Sequence, residues 1–350
     1  DGVTEVPYEL VSIDTASDIG ELNFKAPSLS TTTDTGFYIY YGNSGASGYA
    51  ATATYGRNNV WSNGYQAVYH LGTSPVSALT DSTSNGRNLT AAGGMVATSS
   101  TSSKLGNGLN FDGVNDMLTN SGWAWNTATV TVTVWNNVTT AETQNSNLFA
   151  FTAAGSERFA SHAPWSDAII YWDFGTCCSA PGRLSTSYAS YRNKWTHIGL
   201  VSHGTGGGFM GIYLDGAPVV TAVSSDHPNV TLTGLAIGAV SPAGGTYHRG
   251  RIDEFRIASL ARGAGWLKTE YNNQTNATGF YAVLSEELIG DGRLLPSTLL
   301  ASSTYRETYE ENNPTNLNLN ALAVGQSAEW DFTLQNNAAA ANTNYCFRLV

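Results

Sequence analysis

RGRIDEFRIASLARGAGWLKTEYNNQ, residues 249–274, is the stretch from which the rest of the chain can be read. Ile252, Phe255 and Ile257 interleave with Asp253, Glu254 and Arg256, so the first half reads as one strand with a buried and a wet face. Strict alternation would send Asp253 and Glu254 to opposite faces. From Ala261 to Tyr271 the period changes: Ala261, Ala264, Trp266, Leu267 and Tyr271 fall near helical spacing. A strand that closes a sheet is therefore followed by a short helix laid against it.

Working outward, the same period-two signal recurs. Thr129 to Trp135 is TVTVTVW, a strand buried on one face, and Lys194–Leu200 and Gly211–Gly216 read likewise, the last ending in an Asp-Gly hairpin turn. Ala67–Leu71 and Gly106–Asp116 (GNGLNFDGVND) precede them, with the polar loop Thr80–Thr90 between. Strands at these intervals, separated by Gly/Asn turns and almost free of helix, give an all-β sandwich.

The closing strand and helix, the LNFDGVND hairpin and the DSTSNGRN loop resemble the laminin-G-like, concanavalin-like jelly-roll domains common in large bacterial surface proteins. That resemblance implies a jelly-roll domain over residues 63–288. Residues 1–62 carry strand-like runs ending in Tyr40-Tyr41-Gly42-Asn43, which resemble the end of a bacterial domain of unknown function found before such jelly rolls. Residues 289–303 read as a linker. Residues 304–350, with the runs Glu329–Leu334 and Tyr345–Val350, resemble part of a small Ig-like surface module. The expected fold is thus a concanavalin-like jelly-roll sandwich flanked by smaller β-sandwich or Ig-like domains.

Composition narrows the function. The chain has 350 residues, of which 12% are charged against roughly a quarter in ordinary domains, and its net charge is −11. Only four lysines occur, Lys25, Lys104, Lys194 and Lys268, so no basic face is available for a phosphate backbone and nucleic acid is excluded as a partner. No apolar run approaches the ~20 residues of a membrane-spanning helix. A neutral, hydroxyl- and amide-rich surface suits an extracellular protein. Five Asn-x-Ser/Thr sequons, at Asn88, Asn137, Asn229, Asn273 and Asn276, fit that location. Three cysteines, two of them adjacent, make neither a disulfide framework nor a four-ligand zinc site within one chain.

Catalysis has a specific signature to meet. Jelly-roll glycoside hydrolases of the laminarinase type set their carboxylates at alternate positions of one strand, and no E-x-D-x-E or E-x-D-x-x-E run is present. Nucleophile-elbow, zincin and phosphate-loop motifs are missing as well. The reading is a non-catalytic surface protein for adhesion or glycan binding, with a glycoside hydrolase whose carboxylates converge from different strands as the alternative. Its partners would be a glycan or a neighbouring surface protein, and two incomplete terminal β domains would let copies join as a homo-oligomer or filament.

Two sets of candidate site residues follow. The aromatic-rich segment around residues 155–192 offers Trp165, Trp172, Cys177, Cys178 and Arg183 as ligand contacts: aromatic faces stack on sugar C–H surfaces, and an adjacent-cysteine ring, if oxidised, is a stiff apolar platform. The competing view makes Tyr171-Trp172-Asp173-Phe174 a core strand. The resemblance also implies a structural Ca²⁺ that ties an early loop to the last strand, with Asp81, Asn85 and Asp253 as ligands. The competing reading is that Asp81 opens an Asx-turn and Asp253 caps a sheet edge.

Overall fold

The computed structural model describes residues 4–14, 19–29, 32–40, 47–72, 79–139, 144–153, 157–176, 178, 182–204, 208–224, 230–275, 280, 296–301, 306–307 and 330–334. The chain divides into two units, Asp1–Phe280 and Tyr281–Val350.

The first unit is built on two antiparallel eight-stranded sheets. The first sheet runs Ala217–Ser224, Gly208–Leu214, Thr196–His203, Thr129–Asn137, Arg249–Ala258, Asn107–Asp112, Ser100–Ser102. Tyr65–Tyr69 joins it on the edge that Asn107–Asp112 occupies: the two pair end to end with Arg249–Ala258, one at residues 249–252 and the other at 255–258. The second sheet runs Arg183–Ser187, Ile169–Thr176, Glu157–His162, Phe149–Ala153, Val230–Ile237, Met117–Asn120, Thr90–Ala92, with Trp125–Thr127 also paired to Val230–Ile237.

The sheets face one another across a single large core. Val130, Val132, Val134, Ile198, Leu200, Ile212, Ile252, Phe255 and Ile257 come from the first sheet; Leu118, Phe149, Phe151, Phe159, Trp172, Phe174, Leu235 and Ile237 come from the second. Aromatic edges interlock there, with Phe149 centred 5.3 Å from Phe255 across the sheets. Alternation in the TVTVTVW run explains the valines, but the threonines are buried too, because this strand is covered on both faces. The cover is the expected helix, Ala264–Thr275. Thr131 donates to the Leu260 carbonyl and Thr133 to Glu270, while Leu267 packs on Val201 and Tyr213.

One departure from alternation matters for the chemistry. Asp253 is opposite Trp135 and Arg256 is opposite Thr133, so the strand carries an extra residue, a bulge. Glu254 sits there with φ +51, in the left-handed region. Ile252 and Phe255 both reach the core as a result, and Asp253 and Glu254 both point away from it, rather than to opposite faces.

In the N-terminal part, Tyr8–Asp14 and Ile19–Phe24 form a two-stranded antiparallel sheet. Of the expected strand-like run Thr35–Asn43, residues 35–40 are irregular with Tyr38, Ile39 and Tyr40 exposed, and 41–43 lie outside the described residues. The second unit contains a three-stranded antiparallel sheet with Pro296–Ala301 between Arg306–Glu307 and Trp330–Leu334. The central strand falls in the stretch expected as a linker, while the expected run Tyr345–Val350 lies outside the described residues.

Candidate functional site

The two outer faces of the sandwich differ. That of the first sheet lies under the helix at one end and under Glu9, Glu21 and Trp61 at the other, where these meet His70 and Arg256. That of the second sheet carries exposed Thr152, Ser185 and Thr233 and half-exposed Tyr171 and Arg183.

Register and period two assemble a polar cluster on this second face. Tyr171 and Asp173 are on one side of their strand while Trp172 and Phe174 enter the core. Asp173 is directly opposite Arg183 on one neighbouring strand and opposite Ala160 on the other, and Tyr171 is opposite Ser185 and His162. Arg158, two residues from Ala160, is the diagonal neighbour of Asp173. Next to them Ala150 pairs with both Ala160 and Ala236, and all three alanines are buried.

Asp173 is fully buried. Arg183 donates to both its oxygens, from Nε to Oδ1 at 2.5 Å and from Nη2 to Oδ2 at 2.7 Å, and Arg158 Nη1 donates to Oδ2 at 3.4 Å. The hydrogen bond to Asp173 raises the Arg183 pKa above its usual value. The Arg183 guanidinium lies 4.6 Å from the Tyr171 ring centroid, and the Tyr171 hydroxyl donates to Asp167 at 2.6 Å. His162 lies 3.9 Å from Asp173 and under the Trp165 ring at 4.4 Å; burial pushes its pKa down, favouring the neutral ring. A fixed guanidinium with spare donors, a polarised tyrosine and a half-buried tryptophan thus share one surface.

Of the expected ligand contacts, the structure brings Trp165 and Arg183 together through His162 and Tyr171. Trp172 is corrected: it is fully buried, packs on Phe149 and Phe159, and donates its indole N–H to the Val201 carbonyl of the facing sheet. The competing view, a core strand with Trp172 or Tyr171 inward, matches the structure: Trp172 and Phe174 enter the core, while Tyr171 and Asp173 face outward. Cys178 is exposed, has φ +77 and is disulfide-bonded; Cys177 lies outside the described residues. Sequence reasoning missed Arg158, His162 and Asp173.

The expected calcium ligands do not fit a cation site. Asp81 is buried and accepts four hydrogen bonds, from the backbone N–H groups of Val68, Thr83 and Arg87 and from the Thr83 hydroxyl. Its lone pairs are taken up in tying the early loop to the Tyr65–Tyr69 strand, not to the last strand that the ion was expected to reach. Asn85 turns its amide N–H groups, not its oxygen, to the Tyr65 and Gln66 carbonyls. Asp253 serves a different loop, accepting the Leu105 N–H at 2.8 Å; burial, and then the neighbouring Glu254 charge, raise its pKa well above the usual range. An acid that serves another loop and two groups already committed to hydrogen bonds within their own loop and the neighbouring strand are a poor set for Ca²⁺.

No curated protein matches this chain. Among solved structures, domain 4 of AbnA, a GH43 extracellular arabinanase from Geobacillus stearothermophilus in complex with arabinotriose, is 18% identical with a TM-score of 0.45, covering 58% of this chain and 96% of that one. The botulinum neurotoxin serotype D binding domain is 14% identical with a TM-score of 0.44, covering 60% of this chain and 52% of that one. The ligand binding domain of the same serotype in complex with N-acetylneuraminic acid is 14% identical with a TM-score of 0.43, covering 60% and 51%. This chain thus spans about half the length of the two neurotoxin chains. The family model for the concanavalin A-like lectin/glucanases superfamily matches residues 111–268, which hold most strands of both sheets, and the two antiparallel sheets form a concanavalin-like jelly-roll sandwich.

Proposed function

We propose that this protein binds carbohydrate without cleaving it, on the outer face of the second sheet, as part of an extracellular bacterial surface protein. The observation that carries the reading is the Arg183–Asp173 pair set beside Tyr171 and Trp165 on the less covered face. A sugar ring needs an apolar platform for its C–H face and fixed donors and acceptors for its hydroxyls, and aromatic side chains beside an oriented guanidinium supply both. Arg183 uses two of its five N–H donors on Asp173, which leaves three for a ligand.

Binding is favoured over hydrolysis by the state of the acid. A retaining hydrolase needs two carboxyl groups about 5–5.5 Å apart that reach the substrate. Asp173 is fully buried with both oxygens held by arginine, so it orients Arg183 rather than attacks. The extracellular assignment is supported by the disulfide at Cys178, a bond that persists in oxidising compartments.

The test is an array printed with neutral and acidic oligosaccharides, probed with the whole chain and with Tyr171→Ala. Retention of a defined glycan subset by the wild type, lost by at least ten-fold in the variant, supports the proposal. An array on which wild type and variant give the same pattern overturns it.

A further inference from the structure

The covered face of the first sheet holds a second group of chemistry-bearing side chains, independent of the proposed glycan face. One carboxylate oxygen of Glu21, one imidazole nitrogen of His70 and one carboxylate oxygen of Glu254 all lie within 4.8 Å of one another. His70 Nδ1 is 2.6 Å from Glu254 Oε1 and 3.5 Å from Glu21 Oε1. Three separate elements deliver them. Glu21 belongs to the Ile19–Phe24 strand of the N-terminal hairpin. His70 follows Tyr69, whose ring is in the core, so the next side chain turns outward. Glu254 is turned outward by the bulge.

We propose that Glu21, His70 and Glu254 are the protein ligands of a divalent transition-metal ion of the zinc class, which fastens the N-terminal hairpin to the jelly roll. One imidazole and two carboxylates are the N/O donor set that Zn²⁺ and its neighbours take, whereas Ca²⁺ prefers oxygen throughout.

An independent feature points the same way. The far nitrogen of His70, Nε2, lies 3.2 Å from Glu9 Oε2, and Glu9 is itself fixed by the Ser82 hydroxyl at 2.7 Å and the Trp61 indole N–H at 2.5 Å. A carboxylate on the second ring nitrogen is what orients a ligating imidazole and presents its other nitrogen to a metal. The surrounding charge is also short of cations: Glu9, Glu21, Glu254 and Glu270 are met by Arg256, which pairs with Glu254 and Glu270, and by the two histidines His70 and His197. Ion entry displaces the proton that His70 and Glu254 share, and that proton passes to solvent. Glu21 is 16% exposed, which gives the ion a route in and leaves room for a water ligand.

The experiment uses the whole chain, stripped with EDTA and exchanged into chelator-free buffer. Zn²⁺ is titrated by calorimetry in two buffers of different ionisation enthalpy, and Co²⁺ is followed by its visible d–d absorption. The expected result is one ion per chain, net proton release, a Co²⁺ band of low-coordinate N/O character and a raised thermal midpoint. Glu21→Gln keeps the shape of the hairpin residue and should weaken binding at least ten-fold with an unchanged far-ultraviolet spectrum. Glu9→Gln, which removes no ligand, should weaken it roughly 10- to 100-fold, and this second variant decides the matter if Glu21→Gln does not fold. Absence of binding at millimolar Zn²⁺, or equal binding by wild type and a folded variant, overturns the proposal.

Discussion

Arg183 and Asp173 stand directly opposite one another on neighbouring strands, and Nε and Nη2 of the arginine reach the two oxygens of the acid at 2.5 and 2.7 Å. The geometry is a fork on a fork, and it fixes the guanidinium plane against the Tyr171 ring. The pair therefore holds a donor array in place before any ligand arrives, which lowers the ordering cost of binding.

Arg183→Lys and Arg183→Gln are both expected to lose glycan retention, because a lysine ammonium cannot copy the bidentate contact or the ring stacking. Asp173 would keep Arg158 at 3.4 Å and the more distant His162 at 3.9 Å, so stability in denaturant should also fall, by about 2 kcal/mol or more. Unchanged retention in Arg183→Lys would remove Arg183 from the site.

Tyr171 and Trp172 are adjacent in sequence and belong to different parts of the molecule. Trp172→Ala should destabilise the fold by about 3–5 kcal/mol, as a large side chain leaves a packed core. Tyr171→Ala, on the outer face, should change stability by roughly 1 kcal/mol or less and remove binding. Equilibrium unfolding of the two variants side by side checks the assignment.

Leu267 attaches the helix to the first sheet, filling the space over Gly199 against Val201 and Tyr213. Leu267→Ala is expected to cost about 2–4 kcal/mol. It should also raise hydrogen exchange in residues 264–275 ahead of the strands, as measured by mass spectrometry.

The Glu21–His70–Glu254 cluster makes stability depend on pH in metal-free buffer. Burial, and then the Glu254 charge, raise the Glu21 pKa from 4.5 to about 7. The folded form therefore binds more protons than the unfolded form between those values, and the contribution of this group to stability falls as pH rises through that window. Across it the wild type should lose about 3 kcal/mol relative to Glu21→Gln. His70 acts over a higher range: burial opposes its charge, yet Glu254 and Glu9 hold its pKa up at about 10. Its contribution is complete below pH 6.5 and is lost as pH rises through about 10. Chemical denaturation of both proteins at pH 4.5, 6, 7 and 8 in EDTA measures the Glu21 difference, and parallel curves would refute it.

Much of the sandwich was legible in residue spacing. Thr129–Trp135 and Ala264–Tyr271 declare their periods without tertiary information, and so the strand, the helix and their order could be read. The bulge at Glu254 could not: nothing local marks a glutamate with positive φ inside a strand, and one inserted residue turned Asp253 and Glu254 to the same face. In Tyr171-Trp172-Asp173-Phe174 the alternation was visible, and the more apolar pair, Trp172 and Phe174, identifies the inward set. Weighing Trp172 as a ligand contact overlooked that rule. The His70–Glu254 contact joins residues 184 apart in sequence, so no spacing motif could announce it. Asp81 went the other way, because an Asp at the head of a polar loop serves equally well as an acceptor for its own backbone and as a ligand for an ion.

The most direct measurement is a crystal structure of the whole chain soaked with the oligosaccharide it retains most strongly. The expected result is a sugar ring lying against Tyr171 or Trp165 with a hydroxyl within hydrogen-bond distance of Arg183. A sugar seated at the loop ends of the sandwich or on the helix-covered sheet, with the Asp173–Arg183 face left bare, would contradict the account.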